Sequence, residues 1–268
     1  MSHRGIFNKT HLLSLKATAR HCAQMGCNSS APDRALPGAL PMPEYDTFLT
    51  LLNEPVPWAG FQGGQPLSQS NQSGGNAPVQ PGWTVKVDWP QTYRKEGFKM
   101  RIALRPHECG NPNMLMRADG KFQGVRPQQF ADFLLDLEKL PGYQESSTVE
   151  TLPDGCIIKY LRVKAPLMKA RDHCWKYTFK TLEDGSIFAC IRTIAHPKCP
   201  PRSDAIRAYY YNASLFKMSA EEEGVMEMTE FIFQDLKGSL PPGLMNAALP
   251  AGTLQANAME MNILKGKK

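Results

Sequence analysis

Asp172, His173 and Glu108 are the side chains whose types could move protons in this 268-residue chain. No nucleophile, base and orienting group stand around them at a workable spacing, so catalysis is not expected. His107/Cys109, His173/Cys174 and His196/Cys199 are residue types that ligate zinc, yet no C-x-x-C pair accompanies them. Buried thiols and loop histidines explain those letters better, and neither metal nor cofactor is expected. A third chemistry is written in "MGCNSS" (25–30). If translation began at Met25, Gly26 would be exposed for myristoylation and Cys27 would sit beside it for palmitoylation.

A fourth possibility is binding. In "RDHCWKYTFKT" (171–181), strand alternation puts Arg171, His173, Trp175, Tyr177, Phe179 and Thr181 on one face. Asp172, Cys174, Lys176, Thr178 and Lys180 take the other, which the lysines mark as solvent-facing. Three successive aromatics with His173 and Arg171 at one end suit either core packing or a cavity for an amphipathic ligand.

The elements that would position these groups can be read in order. Residues 1–42 carry little globular pattern and are expected to be mostly disordered. "PEYDTFLTLLNE" (43–54) reads as a short helix, opened by Pro43 with Glu44 and Asp46 at its positive end. The stretch 62–82, without a charge or an aromatic, reads as a flexible insertion. Strands begin at "WTVKVDW" and continue through "FKMRIAL" and "NMLMRA". A helix follows at 126–140, with Phe130, Phe133, Leu134 and Leu137 at helical spacing. Four or five more strands come next, punctuated by Pro153-Asp154-Gly155 and Glu183-Asp184-Gly185. The end of the chain returns to helix, which Pro250-Ala251-Gly252 should kink or split. Sequential strands with hairpin turns imply an antiparallel sheet whose concave face the last helix covers, an α+β layout.

Bulk properties narrow the partners. Net charge is +6, but Arg4, Lys9, Lys16 and Arg20 supply four of the cations before the first acid, Asp33. The remaining 27 basic residues face 25 acidic ones, which argues against nucleic acid as a partner. Seven cysteines with no framework spacing favour a reducing compartment. No apolar run is long enough to span a bilayer, so membrane contact would be peripheral.

"APLMKARD" (165–172), the hairpin "LEDGSIFACIRTIAHP", "AIRAYYYN" and "FQDLKGSLPPGLMNAAL" (233–249) together resemble the C-terminal half of the START family of lipid-transfer domains. Arg171-Asp172 stands at that family's RD motif, Ile206-Arg207 at its "vR", and Asp235 to Pro241 at its "DlkG.lP" turn. The resemblance extends over 43–265 and implies a helix-grip fold, a curved antiparallel sheet around a hydrophobic tunnel closed by a long C-terminal helix. Two departures stand out. "LEKLPGYQES" is short where the family has Trp-Asp, and Thr148 and Tyr177 stand where some members carry an acid–arginine pair.

The resemblance implies a non-enzymatic protein that binds one lipid and transfers or presents it between membranes; a monomer is expected. A phospholipid is favoured over a sterol, because Trp175, Tyr177 and Phe233 would surround a choline-type cation. A membrane-tethered lipid sensor without transfer and a helix-grip hydrolase or cyclase are the alternatives. Baring about 30 methylenes to water would cost about 24 kcal/mol, so the protein must collect its lipid at a bilayer. In "KAPLMKA" (164–170) Leu167 and Met168 would dip among the chains while Lys164, Lys169 and Arg171 meet phosphates. "HPKCPPRS" (196–203) would form a second gate opposite.

A Met25 start gives a cytoplasmic protein held on a membrane by two acyl groups, with 28–42 as the tether. The competing location is mitochondrial, since residues 1–24 are basic, contain serine and lack acids. As a helix, however, that segment places Leu13 among Lys9, Lys16 and Arg20 and is not amphipathic.

Overall fold

The computed structural model describes residues 43–54, 56, 82–107, 111–139, 142–164, 169–238 and 240–266. Gly26 and Cys27, residues 62–81 of the 62–82 insertion, Glu108, Cys109, Leu167 and Met168 lie outside the described residues.

Helix α1 (Pro43–Leu52) precedes strands β1 (Thr84–Val87), β2 (Phe98–Pro106) and β3 (Met114–Gln123). Helix α2 (Pro127–Leu135) then leads to β4 (Tyr143–Thr151), β5 (Ile157–Val163), β6 (Arg171–Thr181) and β7 (Ile187–Thr193). The two-residue β8 (Ile206–Arg207), then β9 (Tyr209–Met218) and β10 (Val225–Asp235), complete the sheet before α3 (Pro242–Leu264). The ten strands form one curved sheet in the order β1-β2-β3-β10-β9-β7-β6-β5-β4, antiparallel throughout except where β8 pairs with β6. After α2 the chain therefore makes seven strands, more than the turn signals alone suggested.

Each face of the sheet has its own apolar cluster. Inside, Phe98, Met100, Ile102, Phe122, Trp175, Tyr177, Phe216 and Met228 pack with Phe130, Phe133 and Leu134 of α2 and Met261 of α3. Pro127 opens α2 at its first turn, and the Gln129 side chain accepts the Arg126 N–H at 2.9 Å, which satisfies one orphan donor. Outside, Phe48 and Leu51 of α1 pack on Trp83, Phe188, Tyr211, Phe231 and Phe233. Phe48 meets Phe188 and Phe231 edge-on with ring centroids 5.4 and 5.5 Å apart.

Two expectations need correction here. Helix α3 is not split: it runs unbroken through Pro250. Proline lacks only its own N–H bond, and the packing of the flanking turns holds the remainder. The outer face of β6 is not all solvent either. Asp172 and Cys174 are fully buried, because the 196–203 segment lies over them and only the lysine half of the strand reaches water.

Candidate functional site

A cavity of about 440 Å³ lies between α3, α2 and the inner face of the sheet. Its apolar wall includes Phe130, Leu134, Trp175, Ile191, Phe216 and Ile232. From α3 it receives Met245, Ala248, Leu249, Gly252, Thr253, Ala256, Asn257 and Glu260. The buried residues of α3 follow helical spacing (Pro250, Thr253, Asn257, Glu260, Met261), yet most of them are polar.

Of the β6 residues expected at a ligand, Arg171, His173 and Trp175 line the cavity. Tyr177 and Phe179 share their face but fall outside the lining, stacked at 6.5 Å within the inner cluster. Phe233 requires a correction. Along β10, Met228, Glu230 and Ile232 point inward, so Phe231 and Phe233 point outward to α1 and Trp83. Phe233 instead packs on His107 at 4.4 Å, and the expected three-residue aromatic cage does not form.

Arg171 is also not free to meet lipid phosphates. Its guanidinium donates to the carbonyls of Lys169 (2.5 Å), Leu236 (3.0 Å) and Lys237 (3.0 Å). It thereby clamps the start of β6 to the turn between β10 and α3. That turn is built by Lys237 at φ 53° and Gly238 at φ 77°, with the Asp235 carboxylate accepting the Lys237 N–H at 2.9 Å. A Cβ on Gly238 would stand 3.2 Å from Arg171 Nη2. Lys169 and Lys164 are both exposed; Lys169 lines the cavity rim and donates to the Ser203 carbonyl at 3.3 Å.

The acid–base candidates are separated by the pleat. His173 faces the cavity, and burial lowers its pKa to about 4, so its ring is neutral. Asp172 faces outward and is engaged by Arg207. His173 and Cys174 likewise point to opposite faces, and Cys174 packs near Cys199 on the outside. The 196–203 segment is fastened to the outer face, not poised at an opening. Both Arg202 terminal nitrogens bond Glu145 at 2.8 Å, Lys198 bonds Glu150 at 3.1 Å, and Arg207 bonds the Cys199 and Pro200 carbonyls.

The site also contains groups that reading the sequence did not single out. Tyr210, Asn212 and Ser214 enter from β9, Glu230 from β10, and Asn257 and Glu260 from α3. Asn212 Nδ2 donates to Glu230 Oε2 at 3.1 Å, and the Ser214 hydroxyl donates to Asn212 Oδ1 at 2.7 Å. Burial raises Glu230 to about 7, while burial and then the neighbouring Glu230 raise Glu260 to about 8. A signal was present: Met226, Met228, Glu230 and Ile232 alternate on one face, so Glu230 interrupts an apolar row.

Solved structures with this architecture share a name. Human StAR-related lipid transfer protein 5 superposes with a TM-score of 0.57 at 18% identity, covering 69% of this chain and 86% of that one. This is the START fold. Human STARD10 superposes with a TM-score of 0.50 at 21% identity, covering 65% of this chain and 72% of that one. A STAR-related lipid transfer protein from Xanthomonas axonopodis gives 0.51 at 21%, covering 65% of this chain and 98% of that one. In sequence, StAR-related lipid transfer protein 5 of Bos taurus is 25% identical over 166 residues, spanning 58% of this chain and 77% of the relative. No family model matches the chain. The cavity within this fold carries a polar inner cluster with two carboxyl groups, Glu230 and Glu260.

Proposed function

We propose that this protein takes up one lipid in the cavity beneath α3 and moves or presents it between membranes without altering it chemically. The observation that carries the reading is the mainly apolar cavity enclosed by sheet and helix, with polar groups gathered on part of its wall. The relatives named above for lipid transfer support it.

The aromatic cage that favoured choline is lost with Phe233, which packs on the outer face of the sheet, so the headgroup must be read from the polar wall of the cavity instead. Lys164 and Lys169 flank 165–168 beside the cavity rim, which supports this edge as the one that meets an anionic membrane surface.

Native mass spectrometry of the full chain purified from cells, followed by exchange between two vesicle populations, tests the reading. One co-purified lipid per protein and protein-dependent exchange are expected. A loaded protein that exchanges nothing would indicate a membrane-tethered sensor, and an unloaded protein that exchanges nothing would overturn lipid binding itself.

A further inference from the structure

Glu230 and Glu260 reach the cavity from opposite walls, one from the sheet and one from the helix that covers it. Both are buried, and no lysine or arginine among the described residues acts on either. Lys169 and Arg171, the cations of the lining, are bonded to backbone carbonyls. Three further buried polar atoms of the lining have no hydrogen-bond partner: His173 Nδ1, Trp175 Nε1 and Asn257 Oδ1. Their residues are 2, 3 and 4% exposed. Trp175 packs on Tyr210 with ring centroids 4.8 Å apart, and Tyr210, Asn212, Glu230 and Glu260 line the same cavity. The row Trp175, Tyr210, Asn212, Glu230, Glu260 is therefore one contiguous polar site.

We propose that this site recognises a protonated amine, so that the ligand is an amino-lipid carrying an oxygen next to its nitrogen. The inference rests on the lipid-binding reading above and names the ligand class. Its logic is one of charge and of donor count. Two buried acids facing one cavity ionise only at a cost, and an arriving cation removes that cost. A ligand hydroxyl would bond equally well to glutamine, without the cost of burying an acid. An ammonium group, by contrast, converts that cost into a charge-assisted bond on each side. Asn257 Oδ1 can accept one of its remaining protons. Trp175 Nε1 can only donate, so it calls for an acceptor oxygen beside the amine. The other titratable or charged groups facing the acids are Tyr143, Tyr210, His173, Arg171 and Lys169. The phenol pKa of Tyr210 lies well above its ordinary value and the His173 ring is neutral, so neither contributes charge near pH 7.

Calorimetric titration of the full chain with decylamine and with decanol, in two buffers of different ionisation enthalpy, tests the proposal. At pH 7.5 the amine should bind at least about tenfold tighter than the alcohol, as expected for bonds to a charged group. It should also release protons to the buffer, because carboxyl groups held protonated give them up to meet the cation; decanol should release none. Glu230→Gln and Glu260→Gln should each weaken the amine about tenfold, reduce proton release, and leave decanol within about threefold. Equal affinity for the two probes, or an amine indifferent to both substitutions, would overturn the amine assignment and leave the cavity reading standing. Failure of both probes to bind would overturn the two readings together.

Discussion

Asp172 and Arg207 lie side by side across a two-residue parallel bridge, with Arg207 Nη2 2.9 Å from Asp172 Oδ2 and Nε 3.2 Å from Oδ1. The carboxylate is fully buried on the side of β6 away from the cavity. Removing one member of a buried pair strands the other, so Asp172→Ala should cost about 3–5 kcal/mol of stability. Urea denaturation measures it. Ligand affinity at temperatures where the variant stays folded should be unchanged, and a loss of affinity would mean that the pair shapes the cavity.

The buried acids set a pH dependence whose sign can be worked out. Glu230 and Glu260 titrate near the ordinary glutamate value when unfolded but at about 7 and about 8 in the folded protein. The unfolded chain therefore loses these protons first, and ligand-free stability falls as pH rises from about 4.5 through 8. Glu260→Gln should remove part of that slope, stabilising the protein by roughly 1–3 kcal/mol at pH 8 relative to pH 5. His173 acts at the other end. Its folded pKa is depressed to about 4, so stability declines as pH falls below about 6.5, and His173→Gln should flatten the acid limb.

Trp175 and Phe233 are both buried aromatics, but on opposite faces. Trp175→Ala removes cavity wall and should weaken the co-purifying lipid by about tenfold or more, whereas Lys176→Ala and Lys180→Ala should leave it unchanged. Phe233→Ala should instead cost about 3–5 kcal/mol of stability through the outer core, with ligand selectivity intact. Vesicle-to-protein partitioning and thermal melts separate the two effects.

Gly252 lines the cavity inside α3, and a Cβ built on it meets nothing within 4 Å. Gly252→Ala should stabilise the helix by about 1 kcal/mol. Gly252→Leu should place its side chain in the ligand space and reduce the co-purified lipid seen by native mass spectrometry. Full loading of the leucine variant would show that the lipid lies elsewhere.

Much of this architecture was legible in the letters. The alternation in 171–181 put Arg171, His173 and Trp175 on the correct face because a strand's period is two and the aromatics are large. Asp235 to Gly238 announced a turn through residues that tolerate positive φ or bond their own backbone. Glu260 was not legible. In "NAMEMNIL" an acid on a helix normally faces water, and only the sheet beneath α3 makes this face interior. Phe233 misled for a related reason: an aromatic fits a core on either side of a sheet, and α1 supplies a second core outside. The fastened 196–203 segment was hidden as well, since its partners Glu145, Glu150 and Asp172 are all distant in sequence.

Helix α3 is secured near both of its ends. The Asn246 side chain accepts the Met114 N–H at 2.9 Å and donates to the Pro112 carbonyl at 3.0 Å, and beyond the last turn Lys265 Nζ donates to the Glu96 carbonyl at 2.9 Å. Between these ties, Pro250 leaves the Asn246 carbonyl without its helical donor. Mechanically this is a beam clamped at both ends and notched close to one of them. Such a beam flexes at its notch and does not swing like a door. The tie at Lys265 thus holds the turn bearing Glu260 against the sheet, whereas 245–253 is the stretch of α3 in which one backbone bond is missing.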